Sequence, residues 1–119
     1  MAKPYNLEER TEEFASEVRA FVRELILDLP NKEDAKQVVK SSGSIGANYI
    51  EANEKLGDKD FLFRLKIARK EAKETMYWLK LINTLDDRLL EKKKDKLLKE
   101  AQELRSILSA IINKSGGGN

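Results

Sequence analysis

The chain has 119 residues, of which 40% are hydrophobic and 37% are charged, and its formal net charge is +2. A domain of this size buries roughly two thirds of the surface that its unfolded chain exposes, so a real hydrophobic core is possible. Cysteine and histidine are both absent, which excludes disulfides, thiolate metal sites and catalysis by imidazole.

The sequence predicts neither a membrane-spanning segment nor a secretory signal. No apolar run approaches the roughly 18 residues of a membrane span, and the opening MAKPYNLEER lacks the apolar region of a secretory signal. We therefore expect a cytoplasmic protein with no membrane partner. Its charge is uneven, because residues 1–30 carry four basic and seven acidic groups whereas residues 58–85 carry seven and four.

The first predicted helix covers residues 7–29. Asn6 and Glu9 form the pattern of a capping box before it, and Pro30-Asn31 is expected to end it and to cap the next helix. Its apolar side chains recur at spacings of three, four and seven residues, which is typical of an amphipathic helix; they are Leu7, Phe14, Val18, Phe21, Val22, Leu25 and Leu29.

The second predicted helix covers residues 32–53 and contains the unusual stretch SSGSIGANYIEA. Gly43 and Gly46 share one flank, where the missing side chains would let another helix approach despite a cost of about 1 kcal/mol for each glycine. Ser44, Asn48 and Glu51 follow one another on a different face. Serine and asparagine are poor helix formers, so we predict that this polar motif bonds to a partner within the bundle or across an interface; ordinary solvent exposure is the alternative.

The remaining helices are predicted over residues 59–84 and 88–113, with residues 114–119 as a flexible tail. Their inner stripes are Phe61, Leu65, Ala68, Ala72, Met76 and Leu79 in the third helix, and Leu90, Leu97, Ala101, Leu104, Leu108 and Ile111 in the fourth. Four long helices with short connections favour a single domain over residues 1–119, an all-α, antiparallel up-down-up-down four-helix bundle. A long helical hairpin that dimerises is the structural alternative.

The third helix carries apolar residues on a second face as well. Phe63, Ile67, Trp78 and Leu81 project roughly opposite the inner stripe. This pattern predicts an interface between copies of the chain, because a face with a tryptophan and a phenylalanine would otherwise be an exposed apolar patch. The alternative is that long side chains of neighbouring helices cover it.

The same helix also carries a line of basic residues between its two apolar stripes: Lys59, Lys66, Lys70, Lys73 and Lys80. The line predicts an anion-binding surface, above all if an assembly repeats it around a symmetry axis. A solvated face is the alternative, since charge runs on helices often have no other role.

Residues 40–79 resemble a known family. The resemblance rests on Ser44-x-x-x-Asn48-x-x-Glu51, preceded by Lys40-Ser41-Ser42 and followed by Asp60-Phe61 and Leu65-x-Ile67-Ala68. This pattern resembles the S23 proteins, encoded within intervening sequences of 23S ribosomal RNA genes and similar in fold to the accessory variability determinant of diversity-generating retroelements. The chain departs from it at Ala52, where glycine is frequent, and at Lys70-Glu71-Ala72, where a small residue such as serine is frequent.

The resemblance implies a four-helix bundle assembled as a ring-like homopentamer with a positively charged central region. For the retroelement relatives it implies binding to nucleic acid and to a reverse transcriptase, and it implies no enzymatic activity. We therefore predict a non-enzymatic homo-oligomer that binds RNA or DNA through the lysines of the third helix, with no cofactor, metal or small-molecule substrate. The alternative is a protein-interaction scaffold with no direct nucleic-acid role. A di-iron bundle enzyme is excluded, because its sites use Glu-x-x-His pairs.

Overall fold

The computed structural model of the protein describes residues 6–54 and 56–116. This part of the chain forms four helices and no strand: α1 (Leu7–Arg23), α2 (Leu29–Asn53), α3 (Asp58–Leu81) and α4 (Arg88–Lys114). The predicted all-α fold is thus confirmed. Among the helices described, none is both long and apolar enough to cross a membrane.

The boundary between α1 and α2 differs from its prediction. α1 ends at Arg23 rather than at residue 29, and α2 begins at Leu29 rather than at residue 32. Asp28 is the cap of α2, since its side chain accepts a hydrogen bond from the Asn31 backbone N–H at 3.0 Å. Pro30 lies in the first turn of α2, where the N–H that proline lacks would have no helical partner. It was therefore wrong to read Pro30 as the end of α1.

The other boundaries shift less. α3 ends at Leu81, three residues earlier than predicted, because Ile82 is extended and the next turn holds Leu85 and Asp86 at φ values of 54° and 66°. α4 continues to Lys114, and Ser115 is its C-cap, so the predicted flexible tail of residues 114–119 begins inside the helix. Residues 117–119 of that tail lie outside the described residues, as do residues 1–5 and 55 of the predicted domain.

Each helix packs against two others. α1 lies beside α2 and α4, and α3 likewise lies beside α2 and α4, whereas the backbones of the diagonal pairs do not come close within the described ranges. One apolar core fills the space between the four helices. Its residues include Phe14, Val18, Ile45, Leu65 and Leu104. α1 and α3 therefore lie at opposite corners of the fold.

Ion pairs and hydrogen bonds show which helix ends meet. Arg10 near the start of α1 donates at 2.7 Å to Glu100, close to the middle of α4. Lys93 near the start of α4 donates to Glu24 at 2.8 Å, just after the end of α1. Asn31 at the start of α2 donates to the Asn83 carbonyl at 2.8 Å, just after the end of α3.

Candidate nucleic-acid interface on the third helix

The buried side of α3 fixes which of its residues face outward. Leu65, Ala68, Ala72, Thr75 and Leu79 are buried against the other helices. Since side chains three, four and seven residues apart share a helix face, the residues half a turn away from this set form the outer surface.

All five lysines of the predicted basic line lie on this outer part of α3 and are exposed: Lys59, Lys66, Lys70, Lys73 and Lys80. None of them takes part in an ion pair with a described acidic side chain. Their ammonium groups are therefore solvated and available to an external anion. Arg69 marks the side of this line that faces α4, because its guanidinium donates to Ser109 Oγ at 3.5 Å.

The four residues of the predicted apolar interface differ in how far they are exposed. Phe63 is 58% exposed and Leu81 is 47% exposed, whereas Ile67 and Trp78 are half-buried and Trp78 packs against the core. Sequence reasoning missed Tyr77, which is 56% exposed and makes an edge contact with Trp78 at 5.0 Å between ring centroids. Its seven-residue spacing from Lys70 was the signal that could have found it.

The predicted lysine line and the exposed part of the predicted interface form one surface. Phe63, Lys70 and Tyr77 recur every seven residues along the same ridge. Lys66 and Lys73 flank that ridge on the side of Arg69. We call this surface the outer face of α3: Lys59, Phe63, Lys66, Lys70, Lys73, Tyr77, Lys80 and Leu81. It combines free positive charge with large apolar side chains.

Arg64 lies beside this face and is held locally. Its guanidinium carbon is 6.0 Å from the centroid of the Phe63 ring, a cation–π distance. Its Nε atom is 3.7 Å from Asp60 Oδ1, too long for a hydrogen bond, and it is buried without a hydrogen-bond partner.

Residues 6–110 match the model of a protein family described as "23S rRNA-intervening sequence protein". The chain belongs to this family. It is also similar to a crystal structure described as a protein with unknown function from the S23 ribosomal protein family of Bacteroides thetaiotaomicron. The two are 32% identical, with 88% of this chain and 96% of the other covered and a TM-score of 0.73. No curated protein matches the chain.

The polar motif on which the resemblance to this family was based lies on α2. Ser44 and Asn48 are half-buried and Glu51 is exposed. Asn48 Nδ2 donates to the Ser44 carbonyl at 2.9 Å, a bond within α2 itself. Among the described residues, no hydrogen bond joins the three side chains to one another or to another helix.

The hydroxyl that does link α2 to α3 belongs to Ser41, which the sequence pattern included beside the motif but which was not predicted to form a hydrogen bond. Thr75 Oγ1 donates to Ser41 Oγ at 2.8 Å, and both residues are buried. A buried serine on the same side of α2 as Ser44, one turn earlier, was the available signal. Ser44 and Asn48, three and seven residues after Ser41, therefore lie on the same flank of α2 as this bond.

Both glycines of α2 face α1, but only Gly46 lies where an added side chain would clash with it. A Cβ atom at residue 46 would lie 2.7 Å from Thr11 Oγ1, and one at residue 43 would lie 3.3 Å from an Arg19 guanidinium nitrogen. The prediction that a glycine admits another helix is confirmed at Gly46, and the helix is α1 of the same chain.

One carboxyl near the outer face of α3 has a shifted pKa. Partial burial raises the pKa of Glu71, the nearby charge of Glu74 raises it further, and Lys70 and Lys40 oppose the shift.

No group of three or more potential metal-ligating side chains occurs within residues 6–54 and 56–116. The candidate site on α3 therefore consists of exposed lysine side chains beside exposed apolar side chains.

Proposed function

We propose that the protein is a non-enzymatic, cytoplasmic homo-oligomer that binds nucleic acid, structured RNA in particular, through the outer face of α3. The observation that carries this proposal is the row of five exposed lysines without ion-pair partners. At a rise of 1.5 Å per residue, the row from Lys59 to Lys80 extends over about 30 Å. That length allows contact with several successive phosphates.

The mechanism is electrostatic. Lysine ammonium groups neutralise phosphates and release the counterions that surround the nucleic acid, which supplies affinity with little sequence information. In this mechanism the lysines supply most of the affinity, and binding is weakly specific for sequence.

The assembly that we propose is a ring of antiparallel, up-down-up-down bundles. The antiparallel order is supported by the contacts of Arg10 with Glu100 and of Lys93 with Glu24, since the start of α4 meets the end of α1 and the start of α1 meets the middle of α4. The exposed Phe63, Tyr77 and Leu81 support association between copies, because they leave an apolar patch uncovered. By resemblance to the family, the number of subunits is five.

A second candidate function is a protein-interaction scaffold, in which the same apolar patch binds another protein and nucleic acid plays no part. A reverse transcriptase of a diversity-generating retroelement is the partner that the resemblance implies. A gene for such an enzyme beside the gene for this protein would favour an accessory role. A position inside a 23S rRNA gene would favour the ribosomal-insertion role.

A salt titration separates the two candidates. Fluorescence anisotropy of a labelled RNA hairpin is measured with the unmodified protein at increasing salt concentration. For phosphate binding, log K falls linearly with log salt, with a slope of about −0.7 to −0.9 for each phosphate neutralised. Absence of binding at about 50 mM salt, where screening is weak, would remove the nucleic-acid proposal and leave the scaffold.

A further inference from the structure

Exposed aliphatic side chains gather at the end of the bundle where α1 leads into α2 and α3 leads into α4. Ten large hydrophobic side chains are exposed in the described part of the chain. Five of them lie in these two connections or in the first turn of the helix that follows: Ile26, Leu27, Leu29, Leu85 and Leu89. We call these five side chains the loop-end patch. Scattered apolar residues are normal on a surface, but a group of this size is typical of a binding site.

The two connections that carry the loop-end patch run side by side. Nδ2 of Asn31 donates to the Ile26 carbonyl at 3.0 Å and to the Asn83 carbonyl at 2.8 Å, so a single nitrogen atom joins them. Lys94 holds the second connection to α4, because its ammonium group donates to the Ile82 carbonyl at 2.7 Å. The patch is thus carried on a fixed backbone, and little backbone entropy is lost when a partner binds.

Leu85 occupies a backbone conformation that leucine disfavours. Its φ is 54°, in the left-handed region, where Cβ comes too close to the following carbonyl oxygen. Glycine and asparagine adopt this conformation more readily. Because Leu85 is also exposed, full burial in the core does not offset the strain. An aliphatic side chain in this position favours a role in binding over a role in stability.

The connections around the loop-end patch are acidic. Within residues 24–29 and 82–89 the one basic residue is Arg88. The next lysines along α2 and α4, Lys32 and Lys92, lie about one helical turn further from the connections. Three aspartates are exposed here and form no ion pair with a described basic side chain: Asp28, Asp86 and Asp87. This end of the bundle is therefore opposite in sign to the lysine row of α3.

We propose that the loop-end patch binds an amphipathic helix of another protein, with aliphatic residues on one side and lysine or arginine beside them. Burial of the aliphatic side chains supplies most of the affinity. The three aspartates attract the flanking cations and so select the partner. They also repel phosphate groups and a second acidic patch, which disfavours nucleic acid, an anionic bilayer and a symmetric contact between two copies.

This binding site goes beyond the proposed function and does not rest on it. The loop-end patch lies at the tips of the helices, whereas the lysine row runs along the outer face of α3. A partner helix on the patch therefore leaves that row exposed to nucleic acid.

The probe is a synthetic amphipathic helix of leucine and lysine, about 18 residues long so that it can form a stable helix. A peptide of the same composition in scrambled order keeps the charge but has no apolar side. Binding of each labelled peptide to the unmodified protein is measured by fluorescence anisotropy. We expect the amphipathic peptide to bind at least about tenfold more tightly than the scrambled one.

Two matched pairs of substitutions locate the apolar part of the contact. Ile26→Ser with Leu89→Ser removes part of the loop-end patch. Ile50→Ser with Leu56→Ser removes the same two residue types, also exposed, near the other end of the bundle. We expect the first pair to weaken peptide binding at least about tenfold and the second to leave it close to the parent. Circular dichroism checks that both variants remain helical.

A second matched set tests the charges. Asparagine replaces Asp28, Asp86 and Asp87 in one variant, because asparagine also caps helices and tolerates a positive φ. Glutamine replaces three exposed glutamates of α1 in the other: Glu9, Glu12 and Glu13. Each variant loses three negative charges. We expect only the asparagine variant to bind the amphipathic peptide several-fold more weakly, with a reduced dependence on salt.

Leu85→Asn separates binding from stability. Because asparagine relieves the strain at a positive φ, this variant should melt at the same temperature as the parent or higher, and it should still bind the peptide more weakly. Unchanged peptide binding together with a lower melting temperature would show that Leu85 serves the fold alone, and would contradict its place in the binding site.

The proposal is overturned if the amphipathic peptide binds no better than the scrambled one, or if the two serine variants lose affinity equally. It is also overturned if Ile26→Ser with Leu89→Ser abolishes binding to phosphatidylserine vesicles, or abolishes a mass above the 13.6 kDa of one chain. Those results would assign the patch to a membrane or to a second copy. RNA binding is scored separately, so a failed RNA titration with intact peptide binding removes only the nucleic-acid proposal.

Discussion

Thr11 of α1 packs directly on Gly46 of α2. Its Oγ1 atom lies 2.7 Å from the position that a Cβ at residue 46 would occupy, and its Cβ lies 3.1 Å from the same point. Gly46→Ala should therefore force α1 and α2 apart and lower the free energy of unfolding by about 1 to 3 kcal/mol. Denaturant melts followed by circular dichroism measure the change.

Gly43→Ala is the matched control for that change. The added methyl group would meet only the end of the flexible Arg19 side chain, at 3.3 Å, which can move aside. Because alanine favours the helix over glycine by up to about 1 kcal/mol, this variant should be as stable as the parent or more so. Thr11→Ala should recover part of the loss in the Gly46→Ala background. Equal stability of the two alanine variants would contradict this account of the α1–α2 contact.

Asn31 joins the two connections at one end of the bundle. It is 1% exposed, and its side-chain amide donates to the carbonyls of Ile26 and Asn83 and accepts from the Asn83 N–H. Asn31→Ala leaves these backbone groups without partners, so we expect a loss of about 2 to 3 kcal/mol in the free energy of unfolding.

Asn83→Ala is the control for Asn31→Ala. The Asn31 side chain binds only the backbone of Asn83, and this backbone is still present in the Asn83→Ala variant. The Asn83 side chain accepts one exposed bond, from the Leu85 N–H at 2.7 Å. Thermal and denaturant melts should show a loss of less than about 1 kcal/mol. If the two variants lose the same stability, the Asn31 bridge is not what holds this end together.

Apolar periodicity was sufficient to predict the helices, but it could not predict these local contacts. Val18, Ile45 and Leu104 are fully buried as their spacing indicated, because helix period and burial are directly linked. The start of α2 was missed because Pro30 is compatible both with the end of one helix and with the first turn of the next. The role of Asn31 depends on Asn83, which is distant in sequence, and only the fold brings them together.

The candidate surface was predicted in a similar, partial way. Spacing placed all five lysines on one side of α3, and they are exposed there. Spacing could not predict which of the rings of Tyr77 and Trp78 is exposed. The two residues are adjacent in sequence, and their exposure depends on which neighbouring side chains cover them. Here the more exposed ring is Tyr77.

Asn48 should matter little for the stability of a single chain. Its side chain donates to a carbonyl of its own helix, and alanine is the better helix former. In dilute solution Asn48→Ala should change the free energy of unfolding by less than about 0.5 kcal/mol. An effect that grows with protein concentration would place Asn48 at a contact between copies. A loss of more than about 1 kcal/mol at every concentration would instead indicate a buried network within the chain.

Glu71 should make stability depend on pH. Burial and Glu74 raise its pKa in the folded protein above the ordinary value of 4.5, so the folded state binds the proton more tightly than the unfolded state does. This contribution is fully present below pH 4.5 and is lost as the pH rises through the folded pKa. Glu71→Gln, which cannot ionise, should therefore be more stable than the parent at pH 7, and this advantage should vanish in acid.

Denaturant melts at neutral and acid pH test this expectation, with Glu74→Gln for comparison. Glu74 is exposed, so its replacement should give a smaller gain, which comes from relief of its repulsion with Glu71. A Glu71→Gln protein that is less stable than the parent at pH 7 would show that the ionised carboxylate is favoured in the folded state.

The central claim, nucleic-acid binding by the outer face of α3, is tested most directly by two matched triple variants. Lys66, Lys70 and Lys73 are changed to Gln in one, and Lys92, Lys96 and Lys99 on α4 in the other. Both sets are exposed, share the same four-then-three spacing and remove the same charge. Lys93 and Lys94 are left intact, because they bind Glu24 and the carbonyls at the end of α3.

The affinity of each variant for an RNA hairpin is measured at several salt concentrations. We predict that the α3 variant binds at least about tenfold more weakly with a flatter salt slope, whereas the α4 variant stays close to the parent. Equal losses in the two variants would show that only net charge matters and would contradict the claim.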